Sequence, residues 1–205
     1  MTAREEILNR VRQGNGNREA DYAAIPRKYS TSADLDLIQL FTERLNDYNA
    51  TVHRCPAAQI AETIAATLTT SNKSGLLIPT GIDPAWLPST LTFRRDENFS
   101  YADLDQSEGV LTACSLAIAL TGTIVLHHIP RNGRRALTLI PDYHLCVVYT
   151  DQIVATVPEG FRQMAALQPP LLTTISGPSA TSDIEMIRVK GVHGPRTLEV
   201  ILAER

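Results

Sequence analysis

The stretch ATVHRCPAAQIAETIAATLTTSNKSGLLIP, residues 50–79, decides the fold. It closes on Gly75-Leu76-Leu77-Ile78-Pro79, a short continuous apolar run of the kind that forms a strand buried on both faces. It opens on ATVHR, which reads as another strand. Between them, Ala57 to Thr70 repeats Ile60, Ile64 and Leu68 at helical spacing. Just upstream, Leu37, Ile38, Phe41 and Leu45 share one face of a helix that runs to Tyr48, with Asp34 as its expected cap. Helix, strand, helix, strand in this rhythm predicts an α/β fold, a parallel sheet with covering helices.

Outward from that stretch the chain stays within one domain. Residues 4–12 put Ile7, Leu8 and Val11 on one side of a short amphipathic helix, which Gly14-Asn15-Gly16-Asn17 ends. Residues 1–32 are therefore an N-terminal helix and polar arm, and 33–205 a single α/β domain. Helices of that type often pack on a neighbouring subunit, so a homo-oligomer fits the arm. Asp83 to Ser89 reads as a helical turn in which Trp86 packs rather than binds. A brief strand follows near Leu91 to Phe93. Gly109 to His127, almost without charge, reads as two strands meeting at Thr121-Gly122-Thr123. Further strands are expected at Ala136–Ile140, His144–Tyr149, Leu171–Ile175 (buried) and Thr197–Leu202, with a helix over 158–167.

Composition excludes several classes. A hydrophobic content of 43% with 20% charged residues is that of a globular chain. A net charge of −3 leaves no electrostatic footprint for nucleic acid. No apolar run reaches the roughly 18–20 residues that span a bilayer, and Met1 to Glu6 lacks the apolar core of a signal peptide. Cys55, Cys114 and Cys146 are odd in number and far apart, which argues against a disulfide framework or a cysteine-held cluster. The expectation is a cytoplasmic protein with no cofactor of its own.

Three polar loops stand out from the core pattern. Thr121-Gly122-Thr123 offers hydroxyls and a glycine that lets backbone N–H groups approach a ligand; a hairpin turn uses a glycine equally well. Arg131, Arg134 and Arg135 form the tightest basic group, sized for one carboxylate or phosphate, although solvated arginine is the commoner case. His127, His128 and His144 invite a metal reading, which fails for want of further ligands at recognisable spacing. The third loop is ISGPSATSDIEMIRVKGVHGP, residues 175–195, with Ser179, Thr181, Ser182, Asp183, Glu185 and His193. It could hold a small polar ligand, with His193 and Asp183 as candidate acid–base groups, or it could be an ordinary capped turn. Ser179, His193 and Asp183 are the residue types of a hydrolase triad, but GPSAT lacks the second glycine of a nucleophile elbow.

These residues also carry a resemblance. SGPSATSDIE, GVHGP and the closing LEVIL, preceded in order by ALTGTIVL and RRALTLIPDYHLCVV, resemble the signature of the LUD-domain family, the lactate-utilization proteins of bacteria, in their stand-alone C-type form. The likeness covers residues 75–205. It implies a Rossmann-like α/β sheet similar to the superfamily of ribose-phosphate isomerase and the CoA transferases (NagB/RpiA/CoA transferase-like). It further implies a part in oxidising L-lactate to pyruvate beside two partner subunits that hold the iron–sulfur clusters. By position the implied site is Thr121, Gly122 and Thr123 with Ser179, Thr181, Asp183 and His193. Where the family often has a glutamate this chain has Leu120, and where it often has an arginine within Gly-Pro-Ser-x-Thr this chain has Ala180. The first difference removes a candidate general base, the second a carboxylate clamp.

Three functions follow in order of expectation. The first is a subunit of a lactate-oxidising system that binds a small carboxylate such as lactate or pyruvate, or that contacts the redox subunits. The second is a non-catalytic regulatory or assembly module. The third is a stand-alone enzyme of the CoA-transferase or sugar-phosphate-isomerase type, for which Asp183 or Glu185 supplies the essential carboxylate.

Overall fold

Short apolar runs become the centre of the molecule. The computed structural model describes residues 2–14, 23–26, 36–168, 171–181, 189–190 and 194–205. Strands β1 (Thr51–Pro56), β2 (Gly75–Ile78), β3 (Thr92–Arg95), β4 (Val110–Ala113), β7 (Tyr143–Tyr149) and β12 (Thr197–Glu204) form one sheet. Its order is β1-β12-β7-β4-β2-β3, and every adjacent pair is parallel. The α/β architecture expected from residues 50–79 is the observed one. Residues with a period of two divide between the faces, as a pleated strand requires.

On one face, Leu76, Ile78, Leu111, Leu145, Val147 and Ile201 pack under α3 (Ile60–Thr70) through Ile60, Ile64 and Leu68. Trp86, in the helical turn Pro84–Trp86, is buried there with its ring 6.0 Å from that of Tyr149. On the other face, Cys146, Val148, Val200 and Leu202 meet Phe41 and Leu45 of α2 (Leu37–Asp47). Asp36 caps α2, its Oδ1 accepting from the backbone N–H groups of Ile38 and Gln39, in the place expected for Asp34, which lies outside the described residues. α1 (Ala3–Gly14) buries none of its residues among those described.

A second sheet covers the α2 face. It has the order β8-β5-β6-β9, built from β5 (Leu116–Ile118), β6 (Thr123–His127), β8 (Ile153–Val154) and β9 (Leu172–Ile175). Ala117, Ile124 and Leu126 pack toward the parallel sheet. Leu116, Ile118 and Val125 pack outward with Met164 of α6 (Val157–Ala165).

Three sequence expectations give way here. Gly109–His127 holds three strands, not two: β4 joins the parallel sheet, and after Cys114-Ser115 the chain crosses to the hairpin β5–β6. Ala136–Ile140 is helical, as α5 (Arg135–Leu139), because Leu137 and its helical neighbours Ala136 and Ile140 pack on Leu77 and Val110 and on Leu104 of α4 (Tyr101–Asp105). The strand ending at Ile175 is half-buried, since β9 is an edge strand, antiparallel to β6. Among the described residues no helix is long and apolar enough to cross a membrane.

Candidate functional site

At the end of β9 the chain leaves through Ser176 into the turn Gly177-Pro178-Ser179. Gly177 has φ 83°, and a Cβ there would run into the Tyr48 side chain, so only glycine lets the turn lie against α2's end. The Ser179 backbone N–H donates to Pro195 O at 2.8 Å, which ties the turn to the segment entering β12. A short strand β10 (Ala180–Thr181) then pairs antiparallel with β11 (Val189–Lys190).

This turn walls a cavity of about 230 Å³. Thr173 and Thr174 of β9 line one side, and Arg135, Thr138 and Leu139 of α5 line another. His144 of β7 and Leu198 of β12 contribute from the parallel sheet. His144 and Leu198 are register partners and stand second in their strands, so the cavity lies at the amino ends of the parallel strands, on the α2 face. Open α/β sheets more often bind ligands at the carboxyl ends.

The expected site residues sort unevenly around it. Ser179 lines the cavity, as does the backbone position of Ala180 beside Thr181. Thr121 and Thr123 lie behind it: their hydroxyls are 2.7 Å apart, and Thr123 Oγ1 is 2.8 Å from Ser176 Oγ, giving a hydroxyl chain that ends on a wall residue. Gly122 adopts the left-handed conformation (φ 57°, ψ 35°), and a Cβ there would stand 2.8 Å from Arg44 Cβ. It serves the hairpin turn and close packing on α2. Asp183, Glu185 and His193 lie outside the described residues.

The three arginines do not converge. Arg135 is exposed on the cavity rim and makes no ion pair with the described residues. Arg134 is engaged elsewhere: its Nε and Nη2 donate to Asp96 at 2.7 and 3.1 Å, and Nη2 also donates to Phe99 O at 2.6 Å. Arg131 is exposed in the loop that packs on Gly81. The histidines are dispersed too. His127 is buried inside β6, and His128 binds Gly133 O and Thr173 Oγ1, each at 2.8 Å, joining its loop to β9. Among the described residues no three His, Cys, Asp or Glu side chains gather as a metal site.

Two buried polar groups stand apart: the sequence reading took His144 only as a candidate metal ligand and passed over Glu199. His144 is 1% exposed, with Nε2 2.8 Å from Thr112 Oγ1 and with Nδ1 lacking a partner among the described residues. Burial pushes its pKa down to about 4, so the ring is neutral at pH 7. Glu199, on the opposite face, accepts from Ser71 Oγ at 2.8 Å and stands 2.7 Å from His53 Nε2. Burial works to raise its pKa, and those hydrogen bonds with the His53 charge outweigh it and hold the carboxyl below its usual range. The only signal for either was a polar residue inside an apolar strand, HLCVV for one and LEVIL for the other.

A family model described as the LUD domain matches residues 84–203. Lactate utilization protein C of Deinococcus radiodurans is 47% identical over 170 residues, which covers 82% of this chain and 79% of that protein. Lactate utilization protein C of an Exiguobacterium species is 25% identical over 228 residues, covering 98% and 96%. A crystal structure of a DUF162 family protein from Deinococcus radiodurans matches this fold with a TM-score of 0.70 at 40% identity, over 82% of this chain and 96% of that one.

Proposed function

The chain belongs to the LUD domain family, and from that membership we propose that it is a bacterial lactate-utilization subunit that binds a small carboxylate, such as lactate or pyruvate, in the cavity beside β9. The names of its relatives support a role in lactate utilization. The observation that carries the finer reading is the pairing of Arg135 with a concave wall of hydroxyls and turn backbone. A guanidinium fork matches a carboxylate, and Thr173, Ser176 and Ser179 surround it with groups that both donate and accept. The volume suits a ligand of a few heavy atoms.

We assign electron transfer to iron–sulfur partner subunits in the cytoplasm. The three cysteines of this chain are buried, Cys55 on α3's sheet face and Cys114 and Cys146 in the core between the parallel sheet and the second one. Residues 33–205 form the domain in this reading, and the N-terminal helix, whose Ile7 and Val11 are exposed, is available to those partners or to a second copy.

Thermal unfolding in the presence of L-lactate, pyruvate, sugar phosphates and CoA esters tests this. A ligand at about 100 times its Kd adds about 2.7 kcal/mol to folding. Stabilisation by lactate or pyruvate that is lost in Arg135→Ala and kept in Arg131→Ala is the expected result. If no carboxylate moves the midpoint, the non-catalytic assembly module becomes the better reading. Ala180 is the observation on its side, since it leaves the wall without the second cation that the family often has there.

A further inference from the structure

We infer that His144 is the specificity-determining residue of this cavity, its Nδ1 hydrogen-bonding an uncharged oxygen next to the ligand's carboxylate. The inference rests on the carboxylate-binding reading above and goes further, to what part of the ligand is recognised and how.

His144 belongs to the cavity wall, whereas Thr112, which takes its Nε2, does not. The nitrogen left over is Nδ1. A buried ring nitrogen without a partner is costly to keep, and such atoms are few in folded proteins. Asn132 Oδ1 shares that status, but Asn132 is not part of this wall. At His144, unlike Asn132, a cavity adjoins the ring, and a ligand that reaches Nδ1 displaces the wall atoms that now cover it.

The ring's surroundings determine what that partner is. Burial keeps the imidazole neutral at pH 7, so it cannot serve as the ligand's counter-charge. That task is left to Arg135 at the rim. A neutral imidazole offers one donor and one acceptor, and the hydrogen bond at one nitrogen decides which the other presents. Here the deciding group is a rotor. Thr112 Oγ1 lies 2.8 Å from His144 Nε2 and 3.7 Å from Cys146 Sγ. With its O–H turned to Cys146, Thr112 accepts from Nε2–H, and Nδ1 accepts from a ligand hydroxyl. With its O–H turned to Nε2, Thr112 donates, and Nδ1–H donates to a ligand carbonyl. The Cys146 thiol stays protonated, its pKa pushed up to about 12 by burial, so no charge disturbs either arrangement. One residue thus receives a 2-hydroxy acid or a 2-oxo acid by turning one hydroxyl.

Calorimetric titration of the wild type at pH 7 with propionate, 3-hydroxypropionate, L-lactate and pyruvate tests the inference. Lactate and pyruvate are expected to bind about tenfold or more tighter than propionate, the worth of one buried hydrogen bond, with 3-hydroxypropionate grouped with propionate. His144→Gln keeps an amide within reach of Thr112 and removes the δ nitrogen; its preference for lactate and pyruvate over propionate is expected to fall to about twofold or less. Nitrogen-15 spectra of the wild type, which has five histidines, give a readout without any variant. Lactate is expected to move the His144 Nδ1 resonance toward the unprotonated side and pyruvate toward the protonated side. Equal binding of all four acids, or an unmoved His144 resonance in the bound protein, overturns the role of His144 and leaves carboxylate binding intact. Absence of binding by every acid overturns the reading beneath it and the inference together.

Discussion

Arg134 and Asp96 are joined by two guanidinium nitrogens, at 2.7 and 3.1 Å, across the loop that precedes α5 and the segment between β3 and α4. Burial acts to raise the Asp96 pKa. The hydrogen bonds and charge of Arg134, with the backbone N–H groups of Phe99 and Asn98, outweigh that and hold it below its ordinary value of 3.8. A carboxyl with a depressed folded pKa stabilises the fold above its unfolded pKa, and the contribution is lost as pH falls through the folded value. Arg134→Ala is expected to cost about 2 kcal/mol at pH 7, typical of hydrogen bonds to a charged group, and less below pH 3.8. Urea unfolding at pH 7 and pH 3 measures both. An equal loss at the two pH values rules out the ion pair as its source.

His144 gives a second pH dependence of known sign. Its folded pKa of about 4 lies below the ordinary 6.5, so between those values the unfolded chain takes up a proton that the folded chain refuses. Stability therefore falls as pH drops from 6.5 to 4, by about 3 kcal/mol at most. His144→Gln lacks this term. The stability difference between wild type and variant is expected to shrink toward pH 4, and a constant difference across the range contradicts the burial of a neutral ring.

Gly122→Ala separates packing from ligand contact. The added Cβ meets Arg44 Cβ at 2.8 Å in a left-handed backbone conformation, and the two effects together cost about 2–3 kcal/mol. The unfolding midpoint is expected to fall by roughly 5–10 °C. The stabilisation that a saturating carboxylate gives should not change, because the glycine faces α2. A variant with normal stability and lost binding points instead to a backbone contact with ligand.

Ala180→Arg adds a second guanidinium to the cavity wall at a position that is exposed and paired only through β10. Carboxylate affinity is expected to rise about tenfold. Titrations at low and high salt check the cause, since a gain from charge shrinks as salt rises. An unchanged affinity means that the cavity does not hold a carboxylate near this wall.

Much of the parallel sheet was legible because a strand buried on both faces needs only a few consecutive apolar residues, and GLLI or HLCVV can do little else. Four apolar residues around one threonine without a turn signal, as in ALTLI, satisfy a strand and a helix equally; only the packing of Leu137 on Leu77 and Val110 selects the helix. The second sheet was hidden for a different reason. Cys114-Ser115 carries the chain from one sheet to the other with no glycine or proline to mark it, and which sheet a strand joins is decided by distant partners. In the site, Ser179 and Arg135 were visible by residue type. His144 was visible only as a candidate metal ligand, because a histidine inside an apolar strand otherwise looks like core, and its unfilled nitrogen appears only once Thr112 is seen to occupy the other.

The cavity between β9 and the amino ends of β7 and β12 draws its walls from two sheets. Among the described residues β9 is joined to its own sheet by β6 alone, whereas His144 stands between Leu198 of β12 and Val110 of β4. A molecule seated there works as a keystone, joining the edge strand of one sheet to the interior of the other. Occupancy then becomes audible as slower exchange of the amide protons along Leu172–Ile175.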